Sequence, residues 1–153
     1  MLRPAWYRSL LIALALSLAM AQAAQAGWRY AEWGMSKAEV IAASGDKARP
    51  YVVANRRSWG EYPDLAAPFA DMTHTFEVWF YFDRYKERLY AIRLVPTGSY
   101  WCIDIRRKVM DRYGSTHRFI DEIAVWEDKS ANNRISITGF RGCTVKYEPL
   151  RRE

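Results

Sequence analysis

The clearest pattern in the chain is an alternation of apolar and polar residues over positions 73–83. A period of two is typical of a strand that packs one face on a core. The core face would carry Phe76, Val78, Phe80 and Phe82, and the other face Thr75, Glu77, Trp79 and Tyr81. After a turn, residues 88–95 continue the alternation with Tyr90, Ile92 and Leu94 on the core side. The two segments therefore predict a β-hairpin.

A first helix is predicted from its end signals. Ser36 followed by Glu39 is a capping-box signature. Gly45 can supply the left-handed residue that ends a helix over residues 37–44.

A second helix is predicted between Ser99, which can cap it, and Gly114. Its apolar stripe, at spacings of three and four, consists of Cys102, Ile105, Val109, Met110 and Tyr113. On the opposite face Asp104 and Lys108 are spaced for an ion pair, which predicts a solvated surface.

The remaining segments predict strands and one long loop. A brief strand covers residues 50–54, and residues 58–69 form a loop because one glycine and two prolines interrupt them. Three more strands are expected at 122–127, 134–138 and 142–148. The sequence thus predicts an α+β fold of two layers, with short helices on an antiparallel sheet. Its order, helix and three strands twice over, is compatible with two tandem units.

Residues 1–26 predict a cleaved signal peptide. Arg3 and Arg8 precede an apolar run over residues 10–21, and small Ala24 and Ala26 stand at the −3 and −1 positions. As a helix the run reaches about 18 Å, well short of a hydrocarbon layer of about 30 Å. We therefore expect a single domain over residues 27–150, a disordered tail at 151–153, and a periplasmic or secreted protein without a membrane span.

The two cysteines, Cys102 and Cys143, both lie in the expected mature chain. An even number of cysteines in an exported protein predicts a disulfide. Cys143 is expected to face the core from its strand, as Cys102 does from its helix. Closing a loop of about 40 residues would stabilise the fold by about 4 kcal/mol.

Charge argues against nucleic acid as a partner. The 153 residues carry 23 basic and 17 acidic side chains, a net charge of +6. Loss of Arg3 and Arg8 with the leader leaves 21 basic residues and a net charge of +4. The basic residues are scattered among acids, whereas phosphate backbones require clustered cations.

Residues that could carry catalysis are few. The sequence has two histidines, His74 and His117, and no metal-ligand spacing or nucleophile motif surrounds them. Paired carboxylates occur at 121–122 and 127–128 and could act in acid/base catalysis. Because adjacent strand residues point to opposite faces, each pair is interpreted as an exposed strand end. No metal or cofactor is expected.

Aromatic residues exceed what the predicted core requires. Those outside it are Trp28, Tyr30, Trp59, Tyr62, Phe69, Trp79 and Tyr81. Aromatic side chains on a sheet face and a nearby loop are typical anchors of a protein or glycan interface. We take Trp59, Tyr62, Phe69, Trp79 and Tyr81 as candidate binding residues. The alternative is that the loop over 58–69 covers the Trp79 face and forms a second small core, and the sequence leaves both open.

A resemblance to known proteins adds to this interpretation. Residues 30–40 (YAEWGMSKAEV), followed by a hairpin rich in Phe and Tyr, resemble the start of the small outer-membrane-assembly lipoproteins of SmpA/OmlA type. The tandem layout is also similar to the β-lactamase-inhibitor-like fold of repeated helix-plus-sheet units. The resemblance implies a binding module without catalysis. Those lipoproteins are anchored through a cysteine that this chain lacks after its apolar run.

The resulting hypothesis is an exported, non-catalytic binding or inhibitor-like module that recognises a cell-envelope protein through an aromatic sheet face and the loop over 58–69. The alternative is a small cell-envelope hydrolase or glycan-acting enzyme that uses His117, Asp121 and Glu122.

Overall fold

The computed structural model describes residues 27–52, 62–71, 73–98, 102–116, 118–120, 123–139 and 143–150. These residues form two helices, α1 (Lys37–Ala43) and α2 (Cys102–Tyr113). Their strands are β1 (Gly27–Trp28), β2 (Ala31–Glu32), β3 (Arg49–Pro50), β4 (Leu65–Ala70), β5 (Thr75–Phe82), β6 (Leu89–Pro96), β7 (Arg118–Ile120), β8 (Ile123–Asp128), β9 (Asn133–Thr138) and β10 (Thr144–Pro149).

Eight of these strands form one antiparallel sheet in the order β3-β4-β5-β6-β10-β9-β8-β7. The strands β1 and β2 pair with each other as a separate two-stranded hairpin. The helices contribute Val40, Cys102, Ile105 and Val109 to the same buried cluster as the sheet. This is the α+β architecture with an antiparallel sheet that the hydrophobic pattern predicts.

The core lies on one face of the sheet, and the strand register lines up its side chains in rows. One row crosses six strands through Leu65, Phe80, Ile92, Tyr147, Ile135 and Trp126. The next row consists of Ala67, Val78, Leu94, Val145, Ile137 and Ala124. All twelve side chains are buried. Each large aliphatic or aromatic member contributes about 1.5–3 kcal/mol by burial, so these rows hold the sheet in register.

Helix α1 begins and ends as its sequence predicts. The Ser36 hydroxyl accepts from the Glu39 amide, and the Glu39 carboxylate accepts from the Ser36 amide at 2.7 Å. At the other end Gly45 has a φ of 62°. The amides of Gly45 and Asp46 donate to the Ala42 and Ile41 carbonyls, which is a Schellman motif.

Helix α2 is fixed at both ends. Cys102, in its first turn, forms the predicted disulfide with Cys143, and their Cα atoms are 5.3 Å apart. Just beyond its last turn, the Trp126 indole Nε1 donates to the Gly114 carbonyl at 3.0 Å. The helix therefore cannot slide along the sheet.

The predicted loop over residues 58–69 is wrong from Leu65 onward, because β4 pairs with β5 at all six of its positions. The prediction failed at Pro68, which was expected to break regular structure. On the other side of β4, β3 pairs only with Leu65 and Ala66 among the described residues. Pro68 thus lies at a sheet edge, where a missing N–H interrupts no ladder.

Three smaller predictions about the core are also wrong. A register shift beside Tyr81 and Phe82 brings Leu89 onto the core face in place of Tyr90. Met110 has 42% of its surface exposed, because it lies at the margin of the α2 stripe. Trp28 was placed outside the core but is buried, since β1 packs against the sheet.

Several expectations lie outside the described residues, namely the leader over 1–26, the tail at 151–153, Ser99 and residues 58–61 at the start of the predicted 58–69 loop. Within the described ranges, neither helix has the length and apolar character needed to cross a membrane.

Candidate functional site

The face of the sheet opposite the core, here called the outer face, carries Trp79. Its register partners on the neighbouring strands are Ala66 and Arg93. The indole Nε1 donates to the Glu77 carboxylate at 2.7 Å, and the Tyr51 ring lies 5.5 Å from the indole. Trp79 is half-buried by these neighbours, so the outer face is built around an ordered aromatic pair.

The other candidate binding residues do not share one surface. Tyr62 is 36% exposed, whereas Tyr81 exposes only 2% of its surface and so offers little contact area. Phe69 was assigned to a loop but lies on the core side of β4, where its ring stacks on Phe76 at 5.9 Å. Trp59 lies outside the described residues. The aromatic set therefore separates into an outer-face part and a core part.

An open groove of about 710 Å³ adjoins Trp79 through Tyr51. Small or apolar side chains dominate its lining, among them Tyr51, Val52, Ala66, Pro68 and Ala70. Lys47 and Arg49 also line it, and both are exposed. In the described ranges neither cation is paired with a carboxylate. The groove is thus apolar along its floor and positively charged at one rim.

A polar network joins α2 to the turn between β4 and β5. Lys108 Nζ donates to Asp71 Oδ2 at 2.8 Å and to the Thr73 hydroxyl. The amides of Thr73 and His74 also donate to Asp71. Burial raises the pKa of Asp71, but the hydrogen bonds from Lys108, Thr73 and His74 outweigh it and hold this pKa well below its usual range.

This network places a hydroxyl beside a histidine, with 2.6 Å between Thr73 Oγ1 and His74 Nδ1. The His74 side chain is buried, and Asp71 is fully engaged in closing the turn. Asp71 therefore links Lys108 of α2 to the β4–β5 turn and so ties the helix to the sheet.

A second cavity, of about 240 Å³, lies between α2 and the core face of the sheet, and we call it the α2 cavity. Its apolar lining includes Phe76, Leu94, Ile105, Val109 and Val145. Its polar lining consists of Asp71, Arg29, Lys108, Arg112, Tyr113 and Tyr147. A neighbouring cavity of about 230 Å³ shares Trp28, Arg29, Arg112, Tyr113 and Tyr147 with it. Sequence reasoning missed the α2 cavity, because its lining residues come from six elements, namely β1, β4, β5, β6, α2 and β10, and from two turns.

The two arginines of the α2 cavity act on a common buried hydroxyl. Burial raises the pKa of Tyr147 far above its usual range, and a hydrogen bond with Tyr113 adds to the rise. The charges of Arg112 and Arg29 oppose it. Both guanidinium groups therefore lie within electrostatic reach of the same point in the cavity.

The carboxylates of the catalytic alternative are only partly described. Asp121, Glu122 and His117 lie outside the described residues, so the enzyme alternative stays a prediction. Asp128 closes the β8–β9 turn by accepting from the Ser130 hydroxyl at 2.5 Å and the Ala131 amide at 3.1 Å. These bonds lower the pKa of Asp128 despite partial burial.

The described part of the chain contains no group of three or more His, Cys, Asp or Glu side chains that could hold a metal ion. Comparison with protein-family models, curated proteins and solved structures finds no match to this chain. The resemblance to SmpA/OmlA-type proteins therefore stays a prediction.

Proposed function

We propose that this chain is an exported, non-catalytic binding module that recognises a protein partner through the outer face of its sheet. The observation that carries the proposal is the open groove beside the Trp79–Tyr51 pair. Small-molecule sites usually enclose most of their ligand, whereas this groove is open along the sheet edge. Its shape favours an extended segment of another protein.

The edge of β4 supports this mode of binding. Beyond Leu65 and Ala66, no described strand pairs with β4 on its groove side. An extended segment can bind along such an edge, with alternate side chains entering the groove. Pro68 lacks an N–H, so it limits continuous pairing and leaves specificity to the side chains. The exposed Lys47 and Arg49 at the rim favour a segment that carries acidic residues beside its apolar ones.

The proposal also covers the compartment in which the chain works and the removal of its signal peptide. A disulfide between Cys102 and Cys143 supports an oxidising compartment, and we propose the periplasm or the exterior, reached after cleavage of residues 1–26.

We also propose that the two halves of the eight-stranded sheet, each with its helix, are tandem copies of one unit. The sheet order supports this, since it is symmetric about the β6–β10 pair and each half contains one helix followed by four strands.

Site-specific photo-cross-linking in the native host tests the binding face. A cross-linking amino acid at Val52, which is 84% exposed in the groove, should give one discrete protein adduct. The matched control is Tyr85, which is 95% exposed on the β5–β6 turn. Equal adducts at both positions, or none at Val52, would contradict the proposal.

Binding of the purified adduct partner then tests the aromatic pair. Trp79→Ala and Tyr51→Ala should each weaken the affinity by about tenfold or more, as expected for anchoring residues. Tyr85→Ala should leave it unchanged. Full affinity in Trp79→Ala would mean that the outer face takes no part in binding. Full affinity in Trp59→Ala would mean that the predicted loop takes no part in it.

A further inference from the structure

The walls of the α2 cavity are fixed relative to one another by three contacts. The Cys102–Cys143 disulfide ties the start of α2 to the sheet, and the Trp126 indole ties its end through Gly114. Between them, Lys108 binds Asp71 in the β4–β5 turn. These contacts span the helix length of about 18 Å and fix its position on the sheet, where Ile105 and Val109 already pack in the core. The lining of the cavity is therefore a fixed feature of the fold.

Two kinds of surface line the cavity. Its deep part is apolar, with Leu94 and Val145 from the sheet facing Ile105 and Val109 from α2. Its polar part carries the exposed guanidinium groups of Arg29 and Arg112. A ligand with an apolar body and one charged end matches this division.

The balance of charge at the cavity favours an anionic end. Lys108 is neutralised by Asp71, at 2.8 Å. Among the described residues, neither Arg29 nor Arg112 forms an ion pair with a carboxylate. Glu32 and Asp128 line the neighbouring cavity, and the Asp128 carboxylate is already engaged with its own turn. The charge of Arg112 also acts on Asp128 and helps to lower its pKa. Because neither guanidinium is held in an ion pair within the described ranges, both can contact an incoming anion.

The side-chain position of Arg29 is a second observation that points to this site. Arg29 lies in the two-residue turn between β1 and β2, where its φ of 54° is the positive value that tight hairpin turns require. Its guanidinium lies 4.3 Å from the Phe69 ring centre and 5.6 Å from that of Trp28. The turn therefore holds a cation at the cavity.

We propose that the α2 cavity binds an alkyl monocarboxylate, with its chain between α2 and the sheet and its carboxylate at Arg29 and Arg112. A cavity of about 150 Å³ holds benzene, and a methylene fills about as much space as a water, so 240 Å³ suits a chain of about eight carbon atoms. The cavity shares Phe69 and Phe76 with the outer-face groove, but Tyr51 lines the groove and not the cavity, and Arg112 lines the cavity and not the groove. Variants at these two residues therefore test the two proposals independently.

Isothermal titration of the disulfide-bonded protein with a series of n-alkanoates tests the chain. From butanoate to octanoate, each added methylene should tighten binding about fourfold. The gain should stop beyond octanoate, because about eight carbon atoms fill the cavity. Octan-1-ol, which has the same chain without the charge, should bind at least tenfold more weakly than octanoate. Gains that continue to dodecanoate, or equal binding of octan-1-ol, would overturn the proposal.

Two variants test the carboxylate end. Arg112→Gln should weaken octanoate binding by about tenfold or more. Arg107→Gln, on the exposed side of the same helix, is the matched control and should bind octanoate normally. Thermal unfolding of both variants checks that they fold. If Arg112→Gln does not fold, Arg29→Gln tests the carboxylate end in its place. The site would be rejected if Arg112→Gln and Arg29→Gln bound octanoate as tightly as Arg107→Gln, or if the wild-type protein did not bind octanoate.

Discussion

Lys108 of α2 and Asp71 of the β4–β5 turn form an ion pair, with 2.8 Å between Nζ and Oδ2. The i,i+4 spacing predicts Asp104 as the partner of Lys108, but Asp71 is 37 residues away in sequence and accepts two backbone amides as well. A carboxylate already positioned by its own turn loses less entropy on pairing than a mobile side chain on an exposed helix face. The pair therefore connects the helix to the opposite half of the sheet.

The first prediction concerns this ion pair. Asp71→Asn should lower the free energy of unfolding by about 1–2 kcal/mol at pH 7, because the charge-assisted bond and the turn contacts weaken. The control Asp104→Asn should cost only about 0.3 kcal/mol, through the helix dipole. Urea denaturation of both variants measures the difference. Equal losses would mean that the Lys108–Asp71 ion pair contributes no more to stability than the charge of Asp104.

The second prediction follows from the lowered pKa of Asp71. Because its pKa is lower in the folded than in the unfolded chain, the stabilisation is complete above the unfolded pKa and is lost as pH falls towards the folded value. The difference in stability between the wild-type protein and Asp71→Asn should thus be constant from neutral pH to about pH 5 and narrow progressively as the pH falls below about pH 4. Urea denaturation between pH 7 and pH 2 checks this, and a gap that stays constant would contradict it.

The third prediction concerns the disulfide. Its two cysteines are 41 residues apart in sequence, so the bond should contribute about 4 kcal/mol by restricting the unfolded chain. The double variant Cys102→Ala, Cys143→Ala should lose about this amount in urea denaturation, with a clear fall in Tm. Reduction of the wild-type protein should reproduce the loss, whereas the double variant should not respond to reductant.

The fourth prediction concerns the contact that ends α2. Trp126→Phe keeps most of the buried ring but removes the donor to the Gly114 carbonyl, and should cost about 2 kcal/mol. Hydrogen exchange should be faster in the variant than in the wild-type protein at the last turn of α2, whereas exchange in α1 should stay the same. Unchanged exchange in α2 would mean that the indole bond does not hold the helix end.

The fifth prediction concerns the cap of α1. Ser36→Ala removes the hydroxyl that accepts from the Glu39 amide and should lower stability by about 1 kcal/mol. Ser36→Asp retains a capping acceptor and should restore most of it. Calorimetric unfolding of both variants makes the comparison, and equal losses would show that the cap contributes nothing.

Local signals explain which parts of the fold could be predicted. The α1 boundaries follow from contacts within ten residues, from Ser36 to Asp46, and the β5–β6 hairpin follows from a period of two. The short strands β1 and β7 have no such signal, because two or three residues contain no period. The strand predicted over residues 50–54 is displaced, since β3 covers only Arg49–Pro50 and residues 51–52 lie outside it. Such short strands form only where an existing sheet or hairpin offers a partner, as β4 does for β3.

The candidate sites divide along the same line. Alternation correctly placed Trp79 on the face opposite the core, since side-chain direction in a strand is a local property. Alternation could not place Phe69 on either face, because Pro68 predicts a loop where the strand β4 lies. It gave no sign of the α2 cavity, whose lining combines Arg29 with residues more than sixty positions later.

By itself the sequence determined the helix caps, the main strands, the inward faces and the two cysteines that pair, because each depends on neighbouring residues or on a choice with one outcome. Only the tertiary structure decided that Lys108 would reach Asp71, that Arg29 and Arg112 would stand at one cavity, and that Tyr81 would be buried. Those relationships depend on how distant elements pack, and packing is fixed by the summed burial of many side chains, which no short stretch of sequence contains.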